Sequence, residues 1–127
     1  MNNEFEINEF EFYAEEESFE FYPDNSIQNR LHTTCKKKEL DSKYVVTGIN
    51  EGVLGMTATK YKKLHSIKEP FNDNLTEDQV DMKNIGIALA TLRIRNHVRE
   101  TLTHKEGNHI GLTSGQRARK LAEESKD

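Results

Sequence analysis

The charged residues of this chain are separated along its length, and this separation constrains how the chain can fold. Residues 1–25 contain nine acidic residues and no lysine or arginine. Residues 26–127 contain all 18 lysines and arginines together with 13 acidic residues, a formal charge of +5. The overall charge of −4 therefore conceals an acidic leading segment joined to a basic body. Opposite charges on two parts of one chain attract each other and attract partners of complementary sign.

The acidic segment is also rich in aromatic residues, with five of the six phenylalanines and two of the four tyrosines. Ordinary disordered acidic segments are poor in such residues. Phe5-Glu6-Ile7 and Phe10-Glu11-Phe12 alternate with a period of two about Asn8-Glu9, which is typical of a hairpin with one apolar face. Phe19-Glu20-Phe21 extends the pattern as a third strand. We therefore predict an acidic aromatic ribbon in residues 1–25.

The same alternation equally suits a docking element. An extended aromatic segment can add to the edge of a partner's sheet, while its carboxylates are attracted to a basic surface. In this interpretation the aromatic residues anchor the partner and a run of glutamates steers it. The predicted partner-binding residues are Phe10, Phe12, Glu15, Glu16, Glu17, Phe19 and Phe21.

Residues 43–64 combine strand-forming residues with a central turn. Lys43–Ile49 is dense in β-branched and aromatic residues, which favour strands. Asn50-Glu51-Gly52 follows, with glycine where a tight turn needs a left-handed residue. Val53–Leu64 fits a return strand, and we predict a β-hairpin over 43–64.

Helix signals flank this hairpin. Residues 24–26 offer a cap for a short helix that places Ile27 and Leu31 one turn apart. Thr76 and Gln79 have the spacing of a capping box, and the apolar periodicity that follows predicts a long helix over about 77–104.

Thr113 and Gln116 repeat the capping-box spacing and predict a short C-terminal helix over 114–124. The predicted fold class is therefore α+β. A small antiparallel sheet, formed by the N-terminal ribbon and the hairpin, packs on the long helix. We expect residues 1–25 to form an acidic aromatic N-terminal segment and residues 26–127 to form a single α+β domain.

Composition excludes several classes of protein. A chain of 127 residues with 34% hydrophobic residues and a mean hydropathy of −0.85 has room for one small core. No apolar run approaches the roughly 20 residues that span a bilayer, and the acidic start is unlike a signal peptide. Because Cys35 is the only cysteine, an intramolecular disulfide is excluded and a reducing compartment is expected. We expect a location in the cytoplasm or within a virion, neither secreted nor in a membrane.

The chain offers little for catalysis or cofactors. No glycine-rich phosphate loop and no nucleophile signature is present, and we predict a protein that is not an enzyme and has no cofactor. The best metal candidate is a zinc set, although its spacing is loose and we predict no metal site. Its four residues are His32, Cys35, His104 and His109.

The basic residues of the body suggest a second contact, with nucleic acid or an acidic partner. The candidate residues are Lys36, Lys37, Lys38, Arg95, Arg99, Arg117 and Arg119. No helix-turn-helix, zinc-finger or RNA-recognition signature accompanies them. The acidic segment would compete for this surface, within one molecule or between copies, so self-association is a further hypothesis.

We therefore predict a non-catalytic macromolecular binding protein, an accessory or inhibitory factor or an assembly component. Its acidic aromatic segment docks on the basic surface of a protein partner. The alternatives are a nucleic-acid-binding protein that uses the Lys/Arg face, and a structural protein of a virion or other assembly. Small accessory proteins of phages and mobile elements show the same features, which is an analogy only.

Overall fold

The computed structural model describes residues 26–67 and 74–126, and within these ranges the protein is all-helical with no strand. Five helices follow one another along the described chain: α1 (Ser26–Lys36), α2 (Ser42–Leu54), α3 (Ala58–His65), α4 (Glu77–Arg95) and α5 (His104–Glu124). The predicted α+β class is therefore wrong. The predicted ribbon in residues 1–25 lies outside the described residues.

The predicted hairpin over 43–64 is instead α2, a short turn and α3. Asp41 caps α2 by accepting a hydrogen bond from the Lys43 backbone N–H at 3.0 Å. The left-handed residue that ends α2 is Gly55, with φ of 79°, and Gly52 lies inside the helix. The β-branched residues of this region have only a weak local preference for strands, and tertiary packing overrides it.

Helix α2 lies at the centre of the described structure. Eleven of its thirteen residues are buried, which a helix achieves only when neighbours cover it on every side. Its most extensive contact is with α5, where glycines allow the two backbones to approach closely. A Cβ atom at Gly48 would lie 2.6 Å from the Leu112 backbone nitrogen, and one at Gly111 would overlap the Val45 carbonyl oxygen.

The two long helices differ from their predicted bounds. The capping box of Thr76 and Gln79 at the start of α4 is confirmed. However, α4 ends at Arg95, well before the predicted end near 104. Helix α5 begins at His104 with its own capping box, in which Thr103 and Glu106 bond each other's backbone N–H groups. The predicted short helix over 114–124 is therefore the second half of α5.

One main cluster of buried side chains holds α1, α2, α4 and α5 together. Leu31, Val45, Ile49 and Ile94 are fully buried within it, and Leu31 confirms the predicted apolar face of α1. A smaller cluster around Leu54 and Ala58 attaches α3.

Candidate functional site

Residues 96–103, which connect α4 to α5, are hydrogen-bonded to Lys38, just after the end of α1. The Lys38 ammonium group donates hydrogen bonds to the backbone carbonyls of His97, at 2.8 Å, and Arg99, at 2.6 Å. The Lys38 carbonyl in turn accepts from the Leu102 backbone N–H at 3.1 Å, and the Leu102 side chain is buried. These contacts bring basic residues from α1, α4 and α5 to one end of the helical bundle.

Arg93 joins α4 to α5 at this end. Its Nη1 donates to the Ile110 carbonyl at 3.1 Å, to the Thr113 hydroxyl at 2.6 Å and to the Ser114 hydroxyl at 3.0 Å. Arg99 pairs with Glu106, the residue that also caps α5. The guanidinium groups of Arg93 and Arg99 are therefore held at this surface by acceptors of the protein itself.

An open cavity of about 700 Å³ lies between these groups. It is lined by Arg93, Asn96, His97, Arg99, Thr103, Lys105, Glu106, His109 and Ile110. The lining contains two arginines, one lysine and two histidines beside one carboxylate, so it is predominantly basic.

We call this region the basic end. It comprises Lys36, Lys37, Lys38, Lys43, Arg93, Arg95, Arg99 and Lys105. Among the described residues, the segments that carry these eight cations also contain four acidic residues, Glu39, Asp41, Glu100 and Glu106. Within residues 26–67 and 74–126, no ion pair or side-chain hydrogen bond engages the exposed side chains of Lys36, Lys37, Arg95 or Lys105. Four cations of the basic end therefore have no partner among the described residues.

The structure brings together part of the predicted basic set. Lys36, Lys37, Lys38, Arg95 and Arg99 all lie at the basic end. Arg117 and Arg119 lie eleven or more residues along α5 from Glu106, which is roughly 16 Å of helix or more. Arg119 contacts Gly55 and lies 3.6 Å from the Glu123 carboxylate.

Sequence reasoning missed Lys43 and Lys105. Lys105 lies in the first turn of α5, and the spacing of Thr103 and Glu106 marks that helix start in the sequence. Lys43 was assigned to a strand, whereas it lies in the first turn of α2 with its ammonium group 5.4 Å from the centre of the Tyr44 ring. The predicted partner-binding residues Phe10 to Phe21 lie outside the described residues.

The residues of the zinc set lie in different environments, and His109 lines the cavity of the basic end. The His32 ring nitrogen lies 3.0 Å from the Ser42 hydroxyl, the His104 ring stacks on Tyr44 at 4.0 Å, and Cys35 is fully buried. Among the described residues, no three His, Cys, Asp or Glu side chains are grouped so that they could hold a metal ion.

Burial controls the chemistry of Cys35. Removal from water raises the pKa of the thiol from 9.0 to about 12, and the nearby charge of Asp41 adds to this effect. Below pH 9 the thiol is neutral in both the folded and the unfolded protein, and the fold keeps its full stability. As the pH rises from about 9 towards 12, the unfolded protein loses the thiol proton first, and the free energy of unfolding falls. At neutral pH, Cys35 is a packed thiol and not a nucleophile.

We expect Cys35 to react with a disulfide reagent such as DTNB at pH 8 at least about 100-fold more slowly in the folded protein than in urea, because a buried neutral thiol is a poor nucleophile. Absorbance at 412 nm measures the rate. The control is Thr33→Cys in a Cys35→Ser background, which places a thiol at an exposed position of the same helix. Equal rates at the two positions would contradict the burial of Cys35.

The described residues thus define a small all-helical protein with a basic end, and no helix among them is long and apolar enough to cross a membrane. No family model matches this sequence, and no curated protein or solved structure is found to be similar to it.

Proposed function

We propose that this chain is a non-catalytic macromolecular binding protein whose basic end binds the phosphate backbone of nucleic acid. The observation that supports the proposal is the group of four exposed cations, Lys36, Lys37, Arg95 and Lys105, which have no acidic partner among the described residues. They come from three helices that meet at one end of the bundle. Such an arrangement can neutralise several phosphates at once and release their counterions.

The composition of the basic end favours nucleic acid over a protein partner. Protein interfaces have a desolvated core enriched in aromatic residues and depleted of lysine. At the basic end, lysine is the commonest basic residue. Within residues 96–103, Val98 is the one large apolar side chain that is strongly exposed, at 93%. Contacts with phosphates require cations and hydrogen-bond donors and do not require an apolar core.

The alternative in which the acidic segment docks on a basic partner concerns residues 1–25, outside the described residues, and the geometry lends it no support. We further propose that the protein acts in the cytoplasm or inside a virion, two compartments that contain nucleic acid. A lone buried thiol suits the reducing conditions of a cytoplasm.

The proposal is tested by neutralising the four available cations together, in the variant K36Q/K37Q/R95Q/K105Q. We expect the affinity for a fluorescein-labelled 20-nucleotide DNA, single-stranded or duplex, to fall by about 10- to 100-fold at 50 mM NaCl. The slope of log Kd plotted against the logarithm of the salt concentration should decrease by up to about four, because each neutralised cation can no longer pair with a phosphate. Fluorescence anisotropy at 50 and 200 mM NaCl measures both quantities.

The matched control is K60Q/K63Q/R117Q/K120Q. These four residues are also exposed and outside the described ion pairs, and the variant changes the net charge by the same amount away from the basic end. We expect this control to weaken binding by about threefold or less, since distant charges act only through the screened field. An equal loss of affinity in both variants would refute a localised site.

A further inference from the structure

A groove of about 170 Å³ lies between α1 and α4, next to the basic end. It is lined by Ile27, Arg30, Ala88, Thr91, Leu92 and Arg95. Its floor is largely apolar and its two arginines are exposed, with no ion pair to another described residue. A ligand that fills this groove needs apolar groups for the floor and negative charges for the two arginines.

The outer face of α4 continues this apolar surface. Ile85 is 38% exposed and Leu92 is 46% exposed, and Ala88 lies between them on the same face. Residues spaced by three and four positions form a continuous stripe on a helix, so the groove and this face form one apolar strip about 10 Å long. Exposed apolar strips bordered by charges mark sites of interaction.

We propose that the occupant of this groove is the acidic aromatic segment of the same chain, residues 1–25. Its composition matches the groove in both respects, because it carries five phenylalanines beside nine carboxylates and no basic residue. Aromatic side chains fill the apolar strip, and glutamates pair with Arg30 and Arg95. Burial of an aromatic ring combined with charge pairing at the rim is a common arrangement in specific contacts.

Chain connectivity favours docking within one molecule. The segment leads directly into α1 at Ser26, and Ile27, the next residue, already lines the groove. Phe12 and Phe19 precede Ser26 by fourteen and seven residues. An extended chain of these lengths spans roughly 20 to 50 Å, more than the strip requires. The short tether gives the segment a high effective concentration at the groove.

Docking would cover Arg95, which belongs to the basic end. The segment then competes with nucleic acid for the same cations, a consequence that rests on the proposed function. The docking itself does not depend on that function and has its own readout.

The experiment uses the full chain with Phe12→Trp, which is a unique probe because the sequence contains no tryptophan. We expect the emission maximum to lie at shorter wavelength than in the isolated peptide of residues 1–25 with the same substitution. Acrylamide quenching should fall by about twofold or more, since a docked indole is shielded from water. Adding Leu92→Glu, or Arg30→Glu with Arg95→Glu, should return both values to those of the peptide.

Leu121→Glu is the matched control, since Leu121 is 38% exposed and lies on α5 outside the groove. Emission and quenching should keep their docked values in this variant. Circular dichroism checks that the variants are folded, and the pair of arginine changes repeats the test without altering an apolar residue. The proposal is overturned if the full chain with Phe12→Trp has the same emission as the peptide. It is also overturned if neither groove variant changes the emission of the full chain. Emission that shifts with protein concentration assigns the groove to a second copy and also overturns it.

Nucleic-acid titration then separates this proposal from the proposed function. In the variant E15Q/E16Q/E17Q we expect DNA affinity to rise at least about threefold, because the competing charge is reduced. If the tryptophan probe is docked but neither the wild type nor this variant binds DNA, the proposed function is refuted and the docking is not. DNA binding with an undocked probe would refute only the docking.

Discussion

Replacing Gly111 with alanine should lower the free energy of unfolding by about 3 kcal/mol or more, because overpacking against backbone cannot be relieved by a change of rotamer. The added Cβ would overlap the carbonyl oxygen of Val45 and lie 3.1 Å from the backbone nitrogen of Ile49. Helices α2 and α5 would have to separate along their closest contact. Urea unfolding followed by circular dichroism at 222 nm measures the loss.

Gly107→Ala is the appropriate control, because Gly107 lies in the same helix and receives the same added methyl group. A Cβ at Gly107 would meet the buried Leu40 side chain, 2.7 Å from Cδ1, and no backbone atom, so a small shift of one side chain relieves the contact. Alanine also gains up to about 1 kcal/mol of helix propensity over glycine. We therefore expect a change within about 1 kcal/mol, and comparable losses at the two positions would refute the close α2–α5 contact.

Leu31→Ala should cost about 2–5 kcal/mol, because it removes a fully buried side chain and leaves a cavity. Leu31 attaches α1 to the main cluster, and α1 supplies Lys36, Lys37 and one wall of the groove. The same urea titration measures the loss of stability. We expect DNA affinity to fall as well, since the end of α1 is then held against residues 96–103 by the Lys38 hydrogen bonds with less support from the core.

Leu64→Ala makes the same chemical change at a side chain that is 66% exposed. Its cost should stay within about 0.5 kcal/mol, as for most surface substitutions. If Leu64→Ala proved as costly as Leu31→Ala, α1 would not be attached as the structure describes it.

The contact between α2 and α5 also positions part of the proposed site. Tyr44, at the start of α2, stacks on His104 and accepts a hydrogen bond at its carbonyl from the Asn108 side chain at 3.1 Å. This fixes the first turn of α5, and with it Lys105, beside the ends of α1 and α4. The stability of the glycine contact and the arrangement of the basic end are therefore linked.

Local chemistry allowed some elements to be predicted. The start of α4 follows from its capping box, a signal that acts over one turn, and the apolar face of α1 follows from the spacing of Ile27 and Leu31. The early end of α4 was missed because apolar spacing continues through Val98 and Leu102, although Val98 is exposed and Leu102 anchors the connection. The clustering of Lys38, Arg95 and Arg99 was expected from the sequence, but the exclusion of Arg117 and Arg119 was not.

The sequence by itself determined the separation of charge between residues 1–25 and the basic body, the exclusion of an intramolecular disulfide and the capping box of α4. Only the tertiary structure decided that residues 43–64 form two helices and not a hairpin, because their preference for strands is weaker than the packing gained when Gly48 and Gly52 meet Gly111 and Gly115. It also decided which cations share one surface. Both outcomes depend on contacts between residues some sixty positions apart, which short-range patterns do not record.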